Sequence, residues 1–313
     1  MSESNAYRDF EVNSPDSQTD VSIVGIGAMG SAVAQAFLDA GRRVTVWNRT
    51  TSRTERLAAA GALIATSVTA AITASPVTIV ILGYVPLGSV LSDDVLGAAK
   101  GRTLVSFTTS SESEICDVAD RCRSAEVPFL AGGILGYPRS IARGEAAILY
   151  SGDLAAFDRH GSLLRTLGGV HDCVGTNPTD AQATLFPVTL LAYSAMGGFL
   201  EGLAWAEAKG VSIATITAYV RSLALPLLDD CFADLGRRIP DRLYEPDQAT
   251  IDVQIDAFEM MLSQLRDAHV GSATFQAFRD YSLAAQAAGL GGADISAVFE
   301  ILRATEKANP APA

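Results

Sequence analysis

The chain has 313 residues, 49% of them hydrophobic, enough for two domains with separate apolar cores, which excludes intrinsic disorder for most of it. Its 35 acidic against 23 basic residues give a formal charge of -12, which repels phosphate backbones and anionic lipid surfaces. The composition therefore excludes nucleic acid and membrane as expected partners and leaves small molecules.

Residues 1–20 are polar and acidic with no apolar signal core, so they read as a disordered tail and not as a secretory address. Cys116, Cys122, Cys173 and Cys231 show no CxxC spacing and no histidine cluster, which points to free thiols, no metal and a cytoplasmic setting. The first ordered element expected is a strand over Ser22 to Val24, followed by the turn GIGAMG and a helix from Ser31 to Ala40 with apolar residues at Val33, Ala36, Phe37 and Ala40. Gly41 ends that helix, and Val44 to Trp47 reads as a second strand.

Three glycines are weak evidence alone, but here they stand where a strand hands over to a helix inside a β-α-β unit. In that context Gly25 makes a tight turn, Gly27 lets the backbone approach a pyrophosphate, and Gly30 lets helix and strand pack closely. Ala28, Met29 and Gly30 then present free N–H groups at the positive end of the helix. The competing reading is a turn that merely connects. At the end of the second strand, where a carboxylate would select NAD, the chain has Asn48, Arg49, Thr50 and, three positions on, Arg53. A neutral amide, a hydroxyl and two guanidiniums suit a 2′-phosphate, so the expected cofactor is NADPH. The alternative is that these arginines solvate the start of the next helix.

Further strands are expected at Val77–Leu82, Thr103–Phe107, Phe129–Leu130 and Ala146–Tyr150. Helices between them make a doubly wound sheet, whose ligands lie beyond the carboxyl ends of the strands. That places Leu82, Gly83 and Tyr84, together with Ser106 and Thr108, near the cofactor, and the run from Gly132 through Leu135 to Tyr137 and Pro138 at the same rim.

After Pro178, Thr179 and Gln182 are spaced for a capping box that starts a long helix. No charge occurs from Ala181 to Leu200, and the helix is apolar on nearly every face, so it must be buried on all sides. Pro187, the pair Gly197 and Gly198, and the lack of flanking basic anchors argue against a bilayer and for a dimer that wraps it in partner helices. Helices are expected over Ile213–Leu225, Tyr244–Arg266 and Ala273–Ala288, punctuated by Pro226, Gly271 and Gly289 to Gly292. His160, His171 and His269 read as solvated surface residues, and Asp252 and Asp256 as a solvated stripe or, alternatively, as groups facing a pocket from a partner subunit.

The segment IVGIGAMGSAVAQAFLDAG resembles the cofactor signature of the β-hydroxyacid dehydrogenase superfamily, and VWNRT with its following basic residue resembles the NADPH-dependent imine reductase and reductive aminase branch. SFTTSSESE, GEAAILYSG and GFLEGLAWAEAKGV are similar to later segments of that branch, so the resemblance runs from Val21 to Arg303. It implies an α/β fold with an N-terminal Rossmann-type NADPH-binding domain at 21–178 and an interdomain helix at 179–209. A helical dimerisation and substrate domain at 210–304 follows, then a tail at 305–313. It also implies a reciprocally swapped homodimer with the active site between one subunit's cofactor and the other's helices; the expected pocket residues are Leu135 and Tyr137 of the sheet rim with Leu185 and Tyr193 of the long helix.

The hydroxyacid dehydrogenases of that superfamily carry a lysine early in the long helix, and none occurs here from Thr179 to Glu207. Imine reductases usually have aspartate or tyrosine there, whereas this chain places Leu185, which cannot transfer a proton. Either the substrate arrives as an iminium and needs only positioning, or another group serves. Tyr193, eight residues on, is the foremost candidate to donate to or orient the nitrogen, against the reading of a core aromatic; Tyr137 and Thr108 are weaker candidates. The expected activity is hydride transfer from NADPH to a C=N bond. The alternatives are a β-hydroxyacid dehydrogenase and a catalytically silent NADPH-binding protein.

Overall fold

A computed structural model of the chain describes residues 18–83 and 85–304; residues 1–17 of the tail expected at 1–20, the tail expected at 305–313, and Tyr84 lie outside the described residues. The chain divides into two compact units, one up to Thr189 and one from Leu190.

The first unit is built on one eight-stranded sheet. Its strands are β1 (Val21–Val24), β2 (Val44–Trp47), β3 (Leu63–Ile64), β4 (Val77–Val80), β5 (Thr103–Ser106), β6 (Phe129–Leu135), β7 (Ala147–Gly152) and β8 (Val170–Gly175). They lie in the order β3-β2-β1-β4-β5-β6-β7-β8. β1 to β6 run parallel, β7 turns antiparallel against β6, and β8 follows β7 in parallel. Short, almost wholly apolar runs such as VSIV and VTIV suit a parallel sheet covered on both faces. Ile23, Ile79 and Val105 enter one apolar layer with Val33 and Phe37 of helix α1 (Ala28–Asp39). Val24, Val80 and Leu104 enter the opposite layer with Ile115 and Val118 of helix α2 (Glu112–Ser124). Helix α3 (Leu154–Leu164) packs Phe157 and Leu164 into the first layer.

Four expectations for this unit change. Residues 19 and 20, expected in the tail, belong to the unit: Thr19 is buried, with its hydroxyl 2.9 Å from that of Thr45 and 2.6 Å from that of Ser75, and Asp20 accepts from the Arg43 N–H at 2.9 Å. Strand β6 continues five residues past Leu130, because the glycines at 132 and 133 pair with Tyr150 and Leu149 of β7 instead of opening a loop. Strand β8 occupies VHDCVG, whose polar residues hid its alternation, and His171 within it is buried, not solvated. His171 Nδ1 lies 3.0 Å from the Tyr150 hydroxyl and Nε2 lies 2.8 Å from the Gly168 carbonyl oxygen, which accepts its proton. Burial holds the imidazole below its ordinary pKa and pushes the Tyr150 phenol far up.

The long helix α4 (Asp180–Ala208) begins as expected, but without the capping box. The Ala181 N–H donates to Ser151 Oγ at 3.1 Å, the Ser151 hydroxyl donates to the Pro178 carbonyl at 2.9 Å, and the Thr179 hydroxyl donates to Asn177 Oδ1. The start of the helix is thus fastened to β7. The division between the two units falls inside α4.

The second unit continues from α4 through α5 (Ile213–Tyr219), α6 (Leu225–Asp241), α7 (Ile251–Asp267), α8 (Ala273–Ala285) and α9 (Val298–Ala304). Pro226 does not end a helix: a π-helical turn over Val220–Ala224 joins α5 to α6, a widened turn of the kind that accommodates a residue lacking an N–H. Tyr244 to Thr250 precede α7 as a loop because the Arg238 guanidinium, itself buried, gathers the Leu243 and Glu245 carbonyls and the Asp234 and Asp247 carboxylates. Glu201 of α4 accepts from the Thr274 and Phe275 N–H groups at 2.8 and 3.2 Å, and so caps α8. The core here is small: Ile251, Ile255, Ala285, Ala297 and Val298. The burial expected for α4 is not met within one chain, since Phe186 is 64% exposed, Tyr193 62% and Leu200 60%.

Candidate active site

The strand order 3-2-1-4-5-6 reverses direction between β1 and β4, and a crevice at that reversal, beyond the carboxyl ends of the strands, is where an open α/β sheet takes a ligand. The glycine loop sits there. Gly25 has φ +100°, and a Cβ on it would lie 2.1 Å from the Ile81 carbonyl oxygen; a Cβ on Gly30 would lie 1.9 Å from the Gly25 oxygen. Gly27 differs, because a Cβ there meets nothing within 4 Å. Gly25 and Gly30 are thus needed for the turn and the helix packing, while Gly27 faces open space.

Gly27 stands at the N-cap of the twelve-residue α1 and offers no side-chain cap, so the N–H groups of Ala28, Met29 and Gly30 lie in its first turn with no side-chain acceptor from the cap. A pyrophosphate fits this cradle by charge and by space. Asn48 turns out to brace it: Asn48 Oδ1 accepts from the Ile26 N–H at 3.0 Å, and Nδ2 donates to the Thr50 carbonyl at 2.9 Å. The amide therefore ties the glycine loop to the end of β2, while Arg49, Thr50 and Arg53 remain exposed beside it.

At the ends of β4 and β5, Thr108 Oγ1 accepts from the Leu82 N–H at 3.0 Å and donates to the Val80 carbonyl at 3.3 Å, and the Thr108 N–H donates to Ser106 Oγ. Both Ser106 and Thr108 are buried. The Thr108 hydroxyl holds the two strand ends together, so it has no proton free for a ligand. Leu82 is half-buried and Gly83 exposed at the same edge.

Beyond β5, strand β6 carries Gly132 to Leu135 past the last β5 pair, Ser106 with Ala131, and so up to the rim. Leu185 of α4 comes down on it: its Cδ1 would lie only 2.4 Å from a Cβ on Gly133. Leu135 is half-buried at the end of β6, and Tyr137 is exposed with the Arg139 guanidinium over its ring at 5.6 Å. Tyr193 lies on α4 within the second unit, largely exposed.

Two residues of this rim escaped their role in the sequence. Gln182, assigned there to a cap, donates from Nε2 to the Ser110 carbonyl at 3.1 Å. Its Oε1 and the Ser110 hydroxyl are both sealed from solvent with no hydrogen-bond partner among the described residues. The polar run SFTTSSESE marked the loop, but only three-dimensional placement joins it to α4. Among the described residues no group of histidine, cysteine and carboxylate could hold a metal, and Asp252 is engaged within its own unit by the Gln286 amide at 2.8 Å.

Comparison with known proteins agrees with this geometry. Residues 20–175 match the NAD binding domain of 6-phosphogluconate dehydrogenase, and residues 180–304 match the NADPH-dependent reductive aminase-like C-terminal domain. A curated NADPH-dependent reductive aminase from Aspergillus oryzae is 26% identical over 291 residues, which is 90% of this chain and 97% of that protein. The solved imine reductase from a Pseudomonas species is 31% identical with a TM-score of 0.85, covering 91% of this chain and 99% of the other. An imine reductase from Myxococcus stipitatus in complex with NADP+ is 29% identical with a TM-score of 0.83, over 90% and 99% of the two chains. A Rossmann-type sheet with the glycine loop at its switch point, a lysine-free α4 and this likeness over nine-tenths of its length show that the chain belongs to the NADPH-dependent imine reductase and reductive aminase family.

Proposed function

We propose that this protein reduces a C=N bond, in an imine or iminium, to an amine at the expense of NADPH. The observation that carries the reading is the glycine cradle with exposed Arg49 and Arg53 beside it, set against a long helix that lacks the lysine an alcohol dehydrogenase would need. The family relatives named for imine reduction and reductive amination support it. The hydroxyacid dehydrogenase reading loses its proton-handling group, and the silent-binder reading rests on Leu185 alone.

NADPH, when bound, supplies the hydride. The chain's part is to bind and to position: Ala28, Met29 and Gly30 hold the pyrophosphate, Arg49, Thr50 and Arg53 hold the 2′-phosphate, and Leu135, Tyr137 and Leu185 bound the space at the rim. With Leu185 unable to give a proton, the substrate carries its own as an iminium, or Tyr193 donates to or orients the nitrogen. The exposed apolar side chains of α4 support a reciprocally swapped homodimer, in which a partner's helices cover α4 and close the cleft against water, and the four free cysteines support a cytoplasmic setting.

The test is NADPH oxidation with a five- or six-membered cyclic imine. Turnover with NADPH far above NADH is expected, and Arg49→Glu should raise KM for NADPH by about 10-fold or more while sparing NADH. Binding of NADPH without turnover of any imine or keto acid would hand the case to the silent binder. Tyr193→Phe should lower turnover of a neutral imine by about 10-fold if the tyrosine is the acid, and leave a preformed iminium unaffected.

A further inference from the structure

Leu185 removes the acid from its place on α4, yet one helical turn earlier the same face carries a polar group with spare capacity. Gln182 and Leu185 are three residues apart and so share that face. Ser151 fastens the start of α4 to the sheet, Leu185 rests against Gly133 at the rim, and Gln182 reaches the loop after β5 through one bond, Nε2 to the Ser110 carbonyl. Two atoms here, Gln182 Oε1 and Ser110 Oγ, are shut off from solvent and unpartnered among the described residues. Protein interiors rarely leave such groups idle, and where they do the site commonly has a task. Neither atom is needed to hold the fold, since Gln182 binds the loop through its nitrogen and Ser110 through its backbone.

We propose that Gln182 Oε1, assisted by Ser110 Oγ, receives the N–H of the substrate's iminium cation and fixes the C=N bond at the carboxyl edge of the sheet. The inference rests on the imine-reducing reading and deepens it. An iminium N–H is a donor only, so it calls for an acceptor and not an acid, and a carbonyl oxygen supplies one without risk of taking the proton. The Gln182 amide is tethered through Nε2 alone, which leaves both lone pairs of Oε1 uncommitted, and its soft terminal torsion allows a small adjustment towards a ligand. The arrangement selects substrates bearing hydrogen on nitrogen: cyclic imines protonated at nitrogen, or the condensation products of primary amines.

A pair of substrates decides it, a protonated cyclic imine and its N-methyl iminium, which has the same charge and nearly the same shape but no N–H. The wild-type enzyme is expected to favour the N–H form, and Gln182→Leu to lose about 10-fold or more in kcat/KM on that form alone, a charge-assisted hydrogen bond's worth. Gln182→Glu, which keeps an acceptor, should restore the preference. Ser110→Ala keeps the backbone carbonyl that Gln182 grips, so it gives a second reading of the same preference should the leucine variant not fold; a reduction of about 3-fold, confined to the N–H form, is expected. Equal losses on both substrates, or none on either, would overturn the proposal. If the wild-type chain reduces neither substrate, the activity itself is misread and this inference falls with it.

Discussion

The three glycines of the cofactor loop make separable demands. Gly27→Ala should leave the thermal midpoint unchanged, because its Cβ meets no protein atom, and yet weaken NADPH binding by about 10-fold, measured by fluorescence titration. Gly25→Ala, forced into a left-handed conformation against the Ile81 carbonyl, should cost more than about 2 kcal/mol of stability by urea unfolding. The buried pair of Tyr150 and His171 carries a further expectation. Tyr150→Phe strands the imidazole Nδ1 and should cost about 1–3 kcal/mol. The His171 ring is held neutral below its usual pKa in the fold, chiefly by burial, whereas the unfolded chain takes up a proton near pH 6.5. Stability is therefore fully present above that pH and declines as acid carries the solution through the window down to the folded value. His160, also lowered by burial, adds in the same direction. Urea midpoints measured across that window should fall less steeply in His171→Phe than in the wild type.

Among the elements, those with a strong local period were legible in the sequence. The β-α-β unit around GIGAMG lies where its pattern put it, because an all-apolar strand, a left-handed glycine and a helix stripe at Val33 and Phe37 agree with one another. Elements fixed by distant partners were not. β8 carries polar His171 and Asp172 side by side, which breaks its period, and is recruited by pairing with β7; α6 crosses Pro226 only because a π-helical turn precedes it. The start of α4 was placed after Pro178 from a Thr179 and Gln182 capping box that does not form; its fastening comes from Ser151, twenty-nine positions before Asp180 in the chain and unreadable as a cap. The same distance hid the candidate site's polar pair, since Ser110 and Gln182 are seventy-two residues apart. The Arg238 clamp is local by contrast, its partners all lying between Asp234 and Asp247, but one buried side chain gathers them. Arg238→Met releases the Leu243 and Glu245 carbonyls together with two carboxylates, so limited proteolysis should open the chain between residues 242 and 250 in the variant and not in the wild type.

At the scale of the whole molecule, the prominent feature is apolar surface left open on α4, where Phe186, Leu190, Leu191, Tyr193 and Leu200 are all exposed. A water-soluble chain rarely leaves so long an apolar stretch bare unless something covers it. Light scattering at micromolar concentration should return about twice the 32.7 kDa chain mass. Leu191→Asp together with Leu200→Asp should bring it to one chain and abolish turnover, while NADPH still binds the first unit; a monomeric wild type would remove the dimeric cleft from the account.

The bare backbone at Gly133 has a consequence for redesign. The hollow above it already admits a side chain as long as leucine, so an ionisable group can be installed at position 185 without recarving the strand beneath. Leu185→Asp would thereby place an acid on the helix where the chain now has none, and the gain should surface as raised turnover of weakly basic imines relative to the parent.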